Sequence, residues 1–364
     1  MKPKFAIIFA GVLLLLLWGG SSSWAREKGS VLYAARVYNA KLTPKDASWI
    51  ASRCDLLIVT GSGDKLVGLM REKNPDIKIF RFLTTAGVPC SWHLLKDHPK
   101  WFLRDPEGNI IRRTYACLVD PAIEEWSQAW VDFANAKIDS FGYDGAKGDM
   151  AFVDISSAVP EILRTYPSDE AWHQVEEKHL RRLHRGLNRK GHLLILNNVH
   201  MYSRTNEDFL LEVRIHNEDG FIQQAVGMRY KMKPNDRFAS AQHFVRGMSI
   251  IKQCSRMGKI VILAMQPSFP HHPRKRVRDE ISYCVGLYLL VREDNVYLNI
   301  DWDGDYGRMQ TLFRVYGEVI EGDYGEPTGE TYKEGGLWKR GYSKGLVVVN
   351  PGKHTFDFIS GTNH

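Results

Sequence analysis

Residues 120–149 read DPAIEEWSQAWVDFANAKIDSFGYDGAKGD, and the fold is decided here. The first part has the marks of a helix. Asp120 stands as N-cap, Pro121 fits the first helical position, and Glu124 and Glu125 place negative charge at the positive end of the dipole. The second part, YDGAKGD (143–149), reads as a short strand that climbs to a bare carboxylate, Asp149, with Lys147 two residues earlier. A helix feeding straight into a buried strand is the unit from which parallel α/β folds are built.

Working outward, the unit repeats. Short runs rich in Val, Ile, Leu and Phe occupy 31–38, 55–61, 77–83, 143–149, 192–198, 220–226, 259–265 and 296–301. Near-continuous apolar runs of this kind suit a parallel sheet covered on both faces. Amphipathic segments separate them: TPKDASWIASR (43–53), capped by Thr43 with Pro44 behind it, then 120–138, 169–189, 236–257 and 274–292. Eight strands alternating with helices predict an α/β fold of the (β/α)8 TIM barrel type. A doubly wound open sheet is the competing architecture, but no G-x-G-x-x-G follows the first strand, so nothing supports a dinucleotide site. The last stretch has closely spaced strands and Gly-rich turns, which predicts a small C-terminal β appendage. The expected organisation is a signal peptide over 1–25, a barrel over 26–318 and the appendage over 319–364.

The leader reading rests on Lys2 and Lys4, the apolar run FAIIFAGVLLLLLW, and Ser23 and Ala25 as small residues before a cut. The run is short for a span of about 20 residues, so an uncleaved anchor is the weaker alternative and no stable membrane span is expected after cleavage. The expected location is therefore exported, periplasmic or extracellular. Export permits disulfides. The five cysteines are Cys54, Cys90, Cys117, Cys254 and Cys284, an odd number with no zinc-type spacing. Cys90 and Cys117 can close the long loop that holds both; buried inert thiols are the alternative.

The chain has 364 residues, 44% hydrophobic and 25% charged, ample for a large core. Its net charge of +7 and pI near 9.0 permit an anionic partner, such as an anionic glycan, but the charge is spread over a long chain and no nucleic acid partner is expected.

In this fold the active site lies at the C-terminal ends of the strands. Asp149 ends the fourth strand. Side chains alternate along a strand, so if Asp149 points inward, Lys147 does too, one layer below. A cation that close favours the charged carboxylate. The alternative is an Asp–Lys pair that only stabilises a strand end.

At this point the chain resembles a known family. FGYDGAKGDM is similar to the fourth strand of glycoside-hydrolase barrels in which an Asp-Gly pair begins the strand and an acidic residue ends it. HPKWFLRDPEGNIIRR (98–113) is similar to the family's Trp-x-Leu-Arg-Asp-x-x-Gly stretch, and LVDPAIEEW (118–126) to the Asp-Pro before its third helix. GEPTGE (325–330) and WKRGYSKGLVVVNP (338–351) resemble its C-terminal end. The nearest group is known only as hypothetical glycosyl hydrolases, and the endo-α-1,4-polygalactosaminidases are more distant. The resemblance implies a polysaccharide or oligosaccharide substrate, no cofactor, and two carboxylates, with Asp149 as the one on strand four. The second is expected near the end of strand six in an Asp-Gly-x-x-x-Glu frame. Asp219 and Gly220 match that frame, but position 224 is Gln. An amide cannot exchange a proton at neutral pH as a carboxyl can.

Asp301, at the end of strand eight, is the expected substitute, with Trp302 beside it as a substrate contact; Gln224 and Asn198 are expected to hydrogen-bond sugar hydroxyls. Trp92 and His93 sit in the connection 84–120, which is long enough to suggest a lid or binding loop. The run DWDGD (301–305) lacks the later ligands of an EF-hand, and His271 and His272 in HHPRKRVRDE lack partners at ligand spacing, so no metal is expected. A barrel of other chemistry, such as a deacylase, finds no nucleophilic Ser elbow. The expectation is an exported glycoside hydrolase-like protein with Asp149 as the ionised carboxylate; the alternative is a glycan-binding barrel that has lost its second carboxylate at Gln224.

Overall fold

The computed structural model describes residues 30–38, 40–92, 97–113, 116–151, 160–197, 216–224, 238, 240–268, 274–300 and 304–361. Eight parallel strands form the central sheet: β1 (Ala34–Val37), β2 (Leu56–Val59), β3 (Lys78–Thr84), β7 (Gly145–Asp149), β8 (Leu193–Asn197), β9 (Gly220–Gln224), β10 (Ile260–Met265) and β11 (Val296–Ile300). They pair in that order. The ring closes between β11 and β1, where the Leu298 N–H donates to the Leu32 carbonyl at 2.8 Å and the Asn299 side chain donates to the Ala34 carbonyl at 2.9 Å. This is a (β/α)8 barrel, and each expected strand is present within a few residues of its predicted bounds.

The two faces of the strands have separate cores. Leu32, Ala34, Leu56, Ile58, Phe80, Ile195, Ile222, Ile262 and Tyr297 fill the barrel interior. The opposite parity packs on the surrounding helices in a larger cluster that includes Trp126, Trp130, Leu183 and Val285. The helices are α1 (Pro44–Ala51), α2 (Val67–Lys73), α3 (Glu124–Phe141), α4 (Asp169–Asn188), α5 (Ala241–Arg256), α6 (Arg274–Val291) and α7 (Tyr306–Ile320). Thr43 caps α1 in a reciprocal capping box with Asp46, as its sequence predicts. The start of α3 differs from expectation: it begins at Glu124, without a side-chain cap. Asp120 instead accepts the Ala122 N–H at 2.9 Å and the Tyr166 hydroxyl at 2.6 Å, so its carboxylate holds a turn ahead of the helix.

Two Asp-Gly pairs have one mechanical role. Asp144 accepts the Ile79 N–H at 2.6 Å, and Asp219 accepts the Leu194 N–H at 2.8 Å, each tying down the start of the preceding strand in the ring. The glycine that follows lets the next strand come close. A Cβ at Gly145 would stand 2.1 Å from the Leu193 carbonyl oxygen, and one at Gly220 would stand 2.4 Å from that of Ile260. These pairs work at the N-terminal ends of the strands, away from Asp149.

The connection after β3 folds as a small antiparallel sheet of β4 (Gly87–Pro89), β5 (Arg112–Arg113) and β6 (Ala116–Leu118), rather than as a bare loop. A Cys90–Cys117 disulfide staples it. Cys54, Cys254 and Cys284 are buried thiols. Its Leu103, Ile111 and Leu118 share a small core with Ile162 and Trp172 from the connection after β7 and the start of α4. The Leu-Arg-Asp-x-x-Gly stretch is a hairpin: Asp105 accepts the Asn109 N–H at 2.7 Å and Gly108 takes φ +85°.

After α7, four antiparallel strands follow: β12 (Tyr332–Glu334), β13 (Leu337–Tyr342), β14 (Gly345–Asn350) and β15 (Thr355–Ser360). They pack on α6 and the residues after it. Buried Arg340 donates to the Arg292 carbonyl at 2.7 Å and pairs with Glu293 at 3.0 Å, and the Tyr342 hydroxyl donates to the Leu289 carbonyl at 2.7 Å. Among the described residues no helix is long and apolar enough to cross a membrane. The predicted leader, 1–25, lies outside them.

Candidate active site

β7 enters the barrel wall between β3 and β8, in the register Phe82↔Lys147↔Ile195. Phe82 and Ile195 belong to the interior, so Lys147 and Asp149 face inward by alternation. Lys147 is 1% exposed, and its ammonium sits 4.6 Å from the centre of the Phe82 ring. Above it, Lys147 Nζ pairs with Asp149 Oδ1 at 2.8 Å, and the Asp149 side chain is 26% exposed. The amide of Asn197, at the end of β8, donates to the same carboxylate oxygen. Arg36, 7% exposed on β1, adds positive potential from another wall of the barrel.

The charges follow from these neighbours. Burial pushes the Asp149 carboxyl up, but the Lys147 ammonium, its hydrogen bond, the Met150 amide and Arg36 together hold it below the ordinary carboxylate range. Burial pulls the Lys147 ammonium down to about 8, with Asp149 opposing that shift and Arg36 adding to it. At neutral pH the pair is therefore an ammonium beneath a carboxylate, with the carboxylate partly open at the C-terminal end of the barrel. Such a group can attack a carbon, take a proton from water or stabilise positive charge.

Of the expected site residues, the structure brings Asp149 and Lys147 together. Asn197, the neighbour of the expected Asn198, joins them. Asn198, His93, Asp301 and Trp302 lie outside the described residues, as does the side chain of Gln224, whose backbone ends β9. Trp92 packs edge-on against Trp126 and Phe133 of α3, with ring centres at 5.8 and 5.4 Å. Arg36 was missed because one arginine in an apolar strand carries no motif. Parity with Ala34 was the signal that could have found it.

Other candidate chemistry falls away on geometry. Ser127 and His179 are 2.8 Å apart but buried between α3 and α4, where burial pulls the imidazole down to about 3. Both side chains are sealed from solvent. A cavity of about 520 Å3 opens at the N-terminal end, lined by Leu32, Asp55, Lys78, Asp219 and Tyr297, away from Asp149. Among the described residues no cluster of three His, Cys, Asp or Glu side chains is placed to hold a metal ion.

Comparison with known proteins then places the chain. The model of the family described as hypothetical glycosyl hydrolase family 15 matches residues 85–346, well over half of the sequence. The chain belongs to hypothetical glycosyl hydrolase family 15. That membership supports a glycoside hydrolase and implies a glycan substrate. Solved structures of similar shape include the glycoside hydrolase domain of PelA from Pseudomonas aeruginosa, at TM-score 0.50 and 14% identity, covering 74% of this chain and 94% of that one. The maltogenic α-amylase AmyB from Thermotoga neapolitana matches at TM-score 0.55 and 12% identity over 88% and 86%. The α-galactosidase TtGalA from Thermus thermophilus matches at 0.51 and 12% over 91% and 68%. At such identities the likeness is one of fold. A search of the curated proteins finds no match. For this family 15 member, three stretches that carried the resemblance have mechanical roles: the Asp-Gly strand starts, the Leu-Arg-Asp hairpin and the Arg340 dock.

Proposed function

We propose that the protein is an exported glycoside hydrolase that cleaves a polysaccharide, with Asp149 as the ionised carboxylate of the reaction. The observation that carries this reading is the Lys147–Asp149 pair at 2.8 Å, inward on β7, with the carboxylate above and the ammonium sealed below. Glycosidases work with two carboxyl groups, one that protonates the leaving oxygen and one that attacks or activates water. A carboxyl held below the ordinary range suits the second role. Lys147 and Asn197 fix its charge and direction.

The proton donor belongs to a second carboxyl. The connections that follow β7, β8, β9 and β11 carry Asp154, Glu207, Asp208, Glu212, Asp236, Asp301 and Asp303, all outside the described residues. Asp301 remains the proposed donor. A donor about 5–5.5 Å from Asp149 gives retention and one about 6.5–9.5 Å away gives inversion. Gln224 favours a second reading, a barrel that binds glycan without cutting it. The basic run at 271–278 supports an anionic glycan as substrate, and the Cys90–Cys117 disulfide supports an oxidising compartment, periplasmic or extracellular.

The test is a panel of polysaccharides on which binding and release of reducing ends are scored separately for the mature chain, Asp149→Asn and Gln224→Glu. Hydrolysis by the wild type that Asp149→Asn abolishes, with binding and fold kept, is the expected result. Unchanged turnover in Asp149→Asn removes Asp149 from the mechanism. Binding without cleavage by the wild type, with cleavage gained in Gln224→Glu, establishes the binder.

A further inference from the structure

We infer that Thr85, a buried residue, is the positioning residue of the Asp149 carboxylate: it clamps the Asp149–Met150 peptide from behind. The inference rests on the reading of Asp149 as the reacting carboxylate. Thr85 follows β3 and is 1% exposed. Both of its donors go to one acceptor. Its backbone N–H and its hydroxyl Oγ1 each lie 2.7 Å from the Asp149 carbonyl oxygen. Only the first of these continues the β3–β7 ladder, which ends at Thr84↔Asp149. The second is extra, and it falls at the peptide where the strand turns away.

That peptide is under strain. Met150 has φ +60°, a left-handed conformation that an unbranched residue with a Cβ adopts only when its surroundings impose it. The turn aims the Met150 amide at the Asp149 carboxylate, where it supports the negative charge. Two glycines leave room for it. A Cβ at Gly87 would meet Met150 Cε at 2.2 Å, and one at Gly148 would meet Thr85 Cγ2 at 2.8 Å. Thr85 is anchored in turn by α3, since Trp126 Nε1 donates to the Thr85 carbonyl at 3.1 Å and Trp130 Nε1 to the Thr84 carbonyl at 2.8 Å. A rigid helix thus fixes the end of β3, the end of β3 holds the Asp149 carbonyl, and the carbonyl holds the plane of the peptide whose N–H faces the carboxylate.

Thr85→Val removes the hydroxyl and keeps the shape; Thr85→Ala removes it without adding a methyl and serves if the valine variant does not fold; Thr85→Ser keeps it. The readout that needs no substrate is titration of the Asp149 carboxyl by 13C NMR in Asp-labelled protein, its signal assigned by its loss in Asp149→Asn. Thr85→Val is expected to titrate at higher pH than wild type, and Thr85→Ser with wild type. On the polysaccharide that the wild type cleaves, kcat is expected to fall about 10-fold to 100-fold in Thr85→Val with KM within about 2-fold, and to recover in Thr85→Ser. A carboxyl that titrates alike in Thr85→Val and wild type overturns the inference. So does a serine variant that behaves like valine. If Asp149→Asn keeps its activity, the reading of Asp149 as reacting group fails, while the titration still reports whether Thr85 positions it.

Discussion

Lys147→Met isolates the interaction on which the site depends. Methionine keeps an unbranched stem on the Phe82 ring and deletes the ammonium 2.8 Å from Asp149 Oδ1. Opposite unit charges at that distance attract by about 6 kcal/mol at an effective dielectric constant of about 20. Not all of this reaches the carboxyl, because its side chain is 26% exposed and keeps Arg36, the Asn197 amide and the Met150 N–H. An adjacent cation favours the charged carboxylate, so the variant should raise the Asp149 carboxyl toward its ordinary range. The acid limb of the pH–kcat/KM profile should move to higher pH with it, because that limb reports the free enzyme. Stability should rise with pH at both ends of the range, because each group titrates lower in the folded state. Asp149 lies below its unfolded value, so its contribution is present above about pH 4 and is lost as pH falls through the folded value. Lys147 also lies below its unfolded value, near 8 against 10.5, so the native state binds fewer protons than the unfolded chain between those values. Wild-type stability should therefore gain about 3 kcal/mol from this group between pH 8 and pH 10.5, a gain absent from Lys147→Met. Thermal unfolding of both proteins across that range measures the difference. An Asp149 carboxyl that titrates at its wild-type position in Lys147→Met would refute the assignment of Lys147 as the group that sets its charge.

Three further outcomes test the scaffold. Gly145→Ala should destabilise by about 1–3 kcal/mol or more, because its Cβ lands 2.1 Å from the Leu193 carbonyl, whereas Gly68→Ala, in α2 with nothing within 4 Å, should stabilise by about 0.5–1 kcal/mol; urea unfolding compares the two. Cys90→Ser should cost about 3–4 kcal/mol from a 27-residue closure and expose the β4–β6 sheet to proteolysis first, which limited digestion with mass mapping reads. Arg340→Met should leave Glu293 and the Arg292 carbonyl without their partner and loosen β12–β15 from α6, at about 2–4 kcal/mol; faster hydrogen exchange confined to β12–β15 and the end of α6 is the expected signature.

Much of the barrel was legible because periodicity is local. Eight apolar runs, the Thr43–Pro44 helix start and the Asp-Gly strand starts each carry their meaning within a few residues, and the ring follows from repeating the unit. The Lys147-x-Asp149 pair was legible for the same reason, since two residues of equal parity must share a face. Boundaries were less so: Asp120 looks like a cap in sequence, but a tyrosine 46 residues later claims its carboxylate.

The sequence by itself determined the repeating strand and helix and the sharing of one face by Asp149 and Lys147, because these depend on residues within a few positions. Only the tertiary structure decided that Arg36 and Asn197 surround the carboxylate, that Cys90 meets Cys117, and that Thr85 holds the peptide behind Asp149. Those contacts join segments 27 to 113 residues apart: strand pairing around the ring gathers the residues about Asp149, and the small sheet of β4, β5 and β6 brings the two cysteines together.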